Sequence, residues 1–521
     1  MSSFKASWAA IGAALLLTAC GDNSVGTQDA SGTRGALLQS PPPRIVSLSA
    51  AELTGSLQAS STGKSLLAVA GTPTCGVDVQ YIQYATVGGA GEKTTGSGAL
   101  MVPTGSDPLC TGARPIVLYG HGTNITRSFN LALLTDSTNP AYGESLIIAA
   151  FYAAQGFIVV APNYAGYDSS DLSYHPYLNA DQQSKDMIDA LTAAKKALPT
   201  VFAPNTTANT KLFITGYSQG GHVAMATHRA MQALGMSVTA AAPMSGPYAI
   251  AAQIEAGYFG NVFAGASLYS PMLTTSYQKS YGNVYTTPGD LYESAYATGI
   301  ESLEPGPYTT STLVSGGKVP QSALFSNTAP TAPAGSGLQP LLNSITPPTG
   351  TGATDALFAA GFGPNNLIKN SARLEVLLDA LANPDGAVPR VTTGLPASAP
   401  ASPTRQDLKR NDLRGWTPQA PVLLCAGNAD PTVFYQLNTG LMATLWAPQV
   451  QAGLVSVVDV DSLAKSSGPA TDPFYAAKAG FAQALAQTIA AGGVSAVVST
   501  YHGTLVPPFC NAVVRGFFAK L

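Results

Sequence analysis

The sequence predicts an α/β fold, with a mostly parallel central sheet flanked by helices and one large insertion between core strands. Three observations carry this. From about residue 115 to 245, apolar runs of strand length alternate with stretches of helical period. The alternation breaks off at Pro247 and resumes at Pro421. Between those points the chain is rich in Tyr, Pro, Thr and Gly and has little periodicity. In open α/β sheets, ligands bind at the carboxyl ends of the strands, so an insertion placed there reads as a cap, or lid, over that edge.

Taken in order, the chain from Val46 reads as strand-like stretches, and Val77 to Val87 and Gly98 to Val102 among them as the first, antiparallel strands. Pro115 to Tyr119 is a buried-strand run that ends in Gly120-His121-Gly122-Thr123. Phe157 to Ala161 is another, ending in Pro162-Asn163-Tyr164, and Glu144 to Gln155 between them has helical character. Within Asp181 to Leu198, residues Met187, Ile188, Leu191, Ala194 and Leu198 recur at helical period, and Pro199 stops the helix. Leu212 to Thr215 is the next strand, Val223 to Leu234 the next helix and Val238 to Ala242 the strand after it. The insertion holds helical pieces at Asp290 to Ser302 and Leu367 to Leu381. Beyond it the spacing predicts a strand Pro421 to Ala426, a helix Gln436 to Trp446 and a strand Val455 to Val460. A helix Pro473 to Ala491 and a strand Val494 to Thr500 complete the series. The expected division is 46–246 for the first part of the core, 247–419 for the cap and 420–521 for the second part.

The 521 residues suffice for this architecture and a sizeable core. Charged residues make up only 10% and the net charge is −3, which leaves no basic footprint for nucleic acid. No obligate protein partner is evident. At the N-terminus, Lys5 precedes a short apolar run, Ala9 to Leu17, too short to span a bilayer. Leu17-Thr18-Ala19-Cys20 then resembles the lipobox of bacterial lipoproteins. The resemblance implies a signal peptide over 1–19, an acylated Cys20, and a Gly/Ser/Thr/Pro-rich tether through residue 45. With Gly21 next, it also implies an exported protein anchored in the outer membrane or at the surface, and otherwise secreted.

Cys75, Cys110, Cys425 and Cys510 remain, an even number suited to an oxidising compartment. Three pairings are possible. The sequence-local one, Cys75 with Cys110 and Cys425 with Cys510, is preferred. No Cys-x-x-Cys occurs and the histidines lack ligand spacing, so no metal site is expected.

The chemistry centres on Gly216-Tyr217-Ser218-Gln219-Gly220, where a strand ends and a helix begins. Such a turn presents a serine hydroxyl outward, and the flanking glycines admit close packing. Serine needs a base, because its hydroxyl is barely nucleophilic at neutral pH. Of five histidines, His222 and His228 sit on the helix after Ser218, and His121 and His175 in loops. His502 follows the last expected strand in Tyr501-His502-Gly503, where it can swing back over the serine. Asp430, in Gly427-Asn428-Ala429-Asp430 at the end of the Pro421 strand, would hold the imidazole. Asp459 and Asp461 are the reserve acids. For the oxyanion, the backbone N–H of Gln219 and of Thr123 are the expected donors, with His121-Gly122 positioning the Thr123 loop.

In their order, Ser218, Asp430 and His502, with a large insertion before the acid, resemble the α/β-hydrolase family. Gly-Tyr-Ser-Gln-Gly-Gly, the Tyr-Gly-His-Gly-Thr loop and Ala161-Pro162-Asn163-Tyr164-Ala165-Gly166 look like its secretory lipase and esterase group. The resemblance implies hydrolysis of a small-molecule, lipid or polyester ester through an acyl-enzyme, with no cofactor. A prolyl-peptidase-type enzyme shares fold and triad, although nothing here resembles its amine-binding acids or propeller. The non-enzyme alternative is a surface lipoprotein with a relict hydrolase core.

Overall fold

The computed structural model describes residues 34–201, 205–348 and 355–521. Nine strands form one sheet: β1 (Arg44–Leu48), β2 (Gly76–Val87), β3 (Lys93–Thr104), β4 (Gly112–Gly120), β5 (Ile158–Pro162), β6 (Thr206–Tyr217), β7 (Ala240–Met244), β8 (Val422–Ala426) and β9 (Val455–Asp459). Their spatial order is β1-β2-β3-β5-β4-β6-β7-β8-β9. The β1–β2, β2–β3 and β3–β5 pairs are antiparallel. From β5 to β9 every pair is parallel. Residues such as Ile116, Val117, Leu118, Phe213 and Ile214 are buried because both faces of the sheet are covered.

Helices α1 (Ala50–Gln58), α2 (Ser61–Ala70), α3 (Tyr142–Phe151), α4 (Ala180–Ala197) and α5 (Gln219–Ala233) belong to the first part of the core. Of the apolar stripe that the periodicity predicts, Met187, Leu191 and Ala194 are buried and Ile188 and Leu198 half-buried. The C-terminal helix Val506–Phe518 packs against β8, and the Cys425–Cys510 disulfide joins the two. Cys75–Cys110 is the second bridge, so the sequence-local pairing is the one present.

Between β7 and β8 lies the insertion, opened by α6 (Ile250–Tyr258) and α7 (Ala266–Tyr281). It has an apolar cluster of its own, including Met272, Tyr277, Tyr292, Phe325 and Leu367, which also takes in Ile125, Tyr177 and Leu178 of the core. Buried cations lock it. Arg405 forms a bidentate contact with Glu255 and a further bond to Asp379, and Arg414 is held by Asp385 and Asp412. Such pairs offset their desolvation only when fully bonded.

Four expectations need correcting. Residues 494–500 are helical, the end of a long helix Tyr475–Thr500 broken at Gly493 (φ 64°, ψ −162°). Val494, Val497, Val498 and Tyr501 recur at helical period, and Tyr501 is buried directly after the helix. Before β2, helices α1 and α2 stand where strand-like stretches are expected, with Leu53, Leu57 and Leu66 buried. The helical piece Asp290 to Ser302 is broken into short turns, Pro288–Leu291, Ser294–Ala297 and Ile300–Ser302. Lastly, the tether does not reach residue 45. The Gly35 N–H bonds to the Ala85 carbonyl and Arg34 to Asp189, so the chain is fixed from Arg34 onward. The signal peptide over 1–19 and Cys20 lie outside the described residues.

Candidate active site

Strand β6 lies between β4 and β7, and its carboxyl end delivers Ser218 to the middle of the sheet edge. There φ is 58° and ψ −121°, a region sparsely populated by residues with a side chain. The conformation is held from both sides. The Ser218 N–H bonds to the Met244 carbonyl of β7 at 3.0 Å, and α5 starts at the next residue. A Cβ on Gly220 would stand 1.9 Å from the Gly120 carbonyl oxygen, and one on Gly216 would stand 2.4 Å from that of Gly220. Both positions require glycine.

The Ser218 Oγ lies 2.8 Å from His502 Nε2, and His502 Nδ1 lies 2.6 Å from Asp430 Oδ2. The other Asp430 oxygen accepts from the Thr432 and Val433 N–H groups at 2.9 and 3.0 Å, so the carboxylate is oriented before it meets the ring. Asp430 follows β8 as expected. His502 arrives differently, in a turn of π geometry over Tyr501–Leu505 that links two helices. The Tyr217 hydroxyl donates to the His502 carbonyl at 2.6 Å. The Tyr501 hydroxyl donates to Asp461 at 2.7 Å and accepts the Ala429 N–H at 3.1 Å. The reserve acids are thus occupied elsewhere: Asp461 holds Tyr501, and Asp459 takes the Asn428 side-chain amide at 2.8 Å.

Gln219 occupies the first turn of α5, where backbone N–H groups have no partner within the helix and the helix dipole is positive. Thr123 sits in the loop after β4, and Thr123, Gln219 and Ser218 line one cavity. Among the described residues neither the Gln219 nor the Thr123 N–H is bonded to another protein group. An adjoining cavity of about 360 Å³ is lined by Tyr119, Glu144, Ile147, Tyr217, Ser218 and His502, among others. Ile254, Phe263, Tyr269 and Leu273 of the insertion wall the Ser218 cavity from the other side.

The remaining histidines are supports. His175 Nδ1 donates to the Ala165 carbonyl at 2.9 Å, which leaves Nε2 to accept from the Gln219 side-chain amide at 2.7 Å. Burial pushes His175 down to about 3, which keeps it neutral in this role. His121, His222 and His228 are likewise pushed down to about 4 by burial. His222 bonds to the Asn411 carbonyl, and His228 packs edge-on against Trp416. The Gln219 amide's bond to His175 and the Gly122 N–H's bond to Glu144, 3.0 Å long, are not readable from the sequence, because both depend on tertiary contact.

Residues 145–253 match the prolyl oligopeptidase family, a stretch that includes Ser218. Over most of its length, the structure is similar to the rice cell wall degrading esterase LipA of Xanthomonas oryzae in a ligand-bound form. The two are 26% identical with a TM-score of 0.63, over 93% of this chain and 98% of that one. A second structure of the same esterase gives 25% identity and a TM-score of 0.61, over 89% and 99% of the two chains. A Legionella pneumophila protein, 18% identical with a TM-score of 0.57, covers 81% of this chain and 91% of its own and adds a likeness of fold. No curated protein matches the sequence. Sheet, elbow and similarities together define the class: the chain has the α/β-hydrolase fold and is a serine hydrolase of that type.

Proposed function

We propose that the protein is a carboxylic ester hydrolase in which Ser218, His502 and Asp430 are the catalytic triad. The observation that carries this is the unbroken hydrogen-bond chain from Ser218 Oγ through His502 to Asp430, 2.8 and 2.6 Å long, at a strained strand-to-helix turn. His502 Nε2 takes the proton as Ser218 Oγ attacks the ester carbonyl, while Asp430 holds Nδ1–H and stabilises the imidazolium. The Gln219 and Thr123 N–H groups receive the oxyanion. His502 then protonates the leaving alcohol, and water repeats the sequence on the acyl-enzyme. The insertion, residues 247–419, acts as the cap that selects the substrate.

Ester rather than peptide substrate is supported by the breadth of the likeness to the Xanthomonas esterase, against a prolyl oligopeptidase match confined to residues 145–253. That match still favours a specific second reading, an aminoacyl amide hydrolase. Side-by-side kcat/KM on nitrophenyl butyrate and on aminoacyl nitroanilides separates the two, and a preference for the anilides overturns the ester assignment. The two disulfides support work outside the cytoplasm. A lipid anchor on Cys20 belongs to the same reading, and radiolabelled palmitate incorporation lost in C20A tests it.

A further inference from the structure

The loop that carries the Thr123 N–H turns on Gly122, and a glycine does not by itself fix the two peptide planes that meet at its Cα. Here each plane is held from outside. Glu144, in the first turn of α3, accepts the Gly122 N–H on Oε1 at 3.0 Å. The same oxygen accepts the Tyr119 hydroxyl at 3.0 Å. On the other plane, His121 Nδ1 lies 2.6 Å from the Gly122 carbonyl oxygen and Nε2 lies 3.1 Å from that of Asn163, and the single N–H of the neutral ring goes to the shorter contact, on Nδ1. The His121 ring is itself clamped between Phe129 and Tyr164, with centroids 4.3 and 4.1 Å away. A trans peptide sets its N–H antiparallel to its carbonyl, so aligning the Gly122 carbonyl aligns the Thr123 N–H.

Glu144 also belongs to the site in space. It lines the cavity that holds Ser218 and His502. A Cβ placed on Gly122 would lie 3.9 Å from Glu144 Oε2 and 3.9 Å from Ser218 Cβ, so the carboxyl and the serine flank the same face of the loop.

We propose that Glu144 is a positioning residue: it fixes the His121–Gly122 peptide, so that the Gly122–Thr123 peptide, held by the His121 ring, aims the Thr123 N–H at the oxyanion. The proposal rests on the ester hydrolase reading and on Thr123 as a donor. The working atom is an acceptor oxygen, which a carboxylate, a carboxylic acid and a carboxamide all provide. This matters because burial pushes the Glu144 carboxyl up to about 7, so both protonation states occur near neutrality. The anchor depends on reach more than on charge.

The test is a series at residue 144, read by ester kinetics and by the rate of Ser218 phosphonylation with a fluorophosphonate, alongside thermal melting. E144Q keeps the acceptor and should retain kcat within about threefold. E144D keeps the charge but is one methylene short, and E144A lacks the acceptor. Both should lose kcat by about 10- to 100-fold with KM within about twofold, since a misplaced donor costs less than a missing one. Their Ser218 phosphonylation should slow in parallel. Equal kcat in wild type and E144A overturns the proposal, as does a loss confined to KM or a loss in folded E144Q as large as in E144A. If E144A does not fold, E144D against E144Q decides it by the same criteria. Wild-type enzyme that is not phosphonylated at Ser218 overturns the ester hydrolase reading itself, whereas labelling at equal rates in wild type and E144D overturns only the role of Glu144.

Discussion

Tyr217 reaches across from the end of β6 to donate a hydrogen bond, 2.6 Å long, to the main-chain carbonyl of His502. The residue before the serine therefore holds the residue that faces the serine, although the two are 285 positions apart in sequence. On the proposed mechanism this bond sets where the imidazole sits. Tyr217→Phe should lower kcat by about 3- to 10-fold, the worth of one hydrogen bond, with little change in KM or melting temperature. Steady-state ester kinetics check it, and an unchanged kcat would show that the helix geometry alone places His502.

Asp430 is the sole carboxylate bonded to the His502 ring among the described residues. Asp430→Asn should reduce kcat by about 10⁴-fold, because the wrong imidazole tautomer is then favoured. Asp459→Asn should leave kcat within a few-fold, since that side chain serves Asn428. The pair of variants assayed together tests the assignment, and a reversed order would transfer the role to Asp459.

The Cys425–Cys510 bridge closes a span of 85 residues and ties the strand before Asp430 to the helix after His502. Replacing both cysteines by alanine should cost about 4.5 kcal/mol by the loop-entropy relation. Urea denaturation under non-reducing conditions measures it. A loss of ester turnover below the unfolding midpoint is expected as well, because the strand before the acid and the helix after the base then lose their direct covalent link.

Glu304, in the insertion, is buried, and among the described residues neither of its oxygens has a hydrogen-bond partner in good geometry. Burial pushes its carboxyl up to about 8, with the nearby Met272 N–H pulling weakly the other way. An unfolded chain releases that proton near pH 4.3. Between those values the folded state binds a proton that the unfolded state does not, so this group's contribution to stability falls as pH rises from about 4.5 to about 8. Glu304→Gln should flatten this decline and raise stability at pH 8.5 by up to a few kcal/mol relative to wild type. Urea midpoints at pH 5 and 8.5 for both proteins check the sign.

Much of the site was legible because it is local. A glycine-flanked serine between a strand and a helix, an acid after a strand and a histidine before a terminal segment each carry their signal within a few residues. His502 follows a helix where a strand is expected, since the β-branched residues before it fit both periods. Helices α1 and α2 were missed because Ala, Ser, Gly and Thr dilute their apolar period. The Ser49–Glu52 capping box was a readable signal for the first of them. Glu144 and His175 act on backbone or side chains brought near by packing, and no spacing in the chain encodes that.

Hydrolysis of nitrophenyl butyrate by folded S218A against wild type tests the central claim most directly. Wild type should turn over steadily, and S218A should fall by about 10⁴-fold or more with an unchanged melting temperature. Turnover retained by folded S218A, or no ester hydrolysis by wild type, would contradict it.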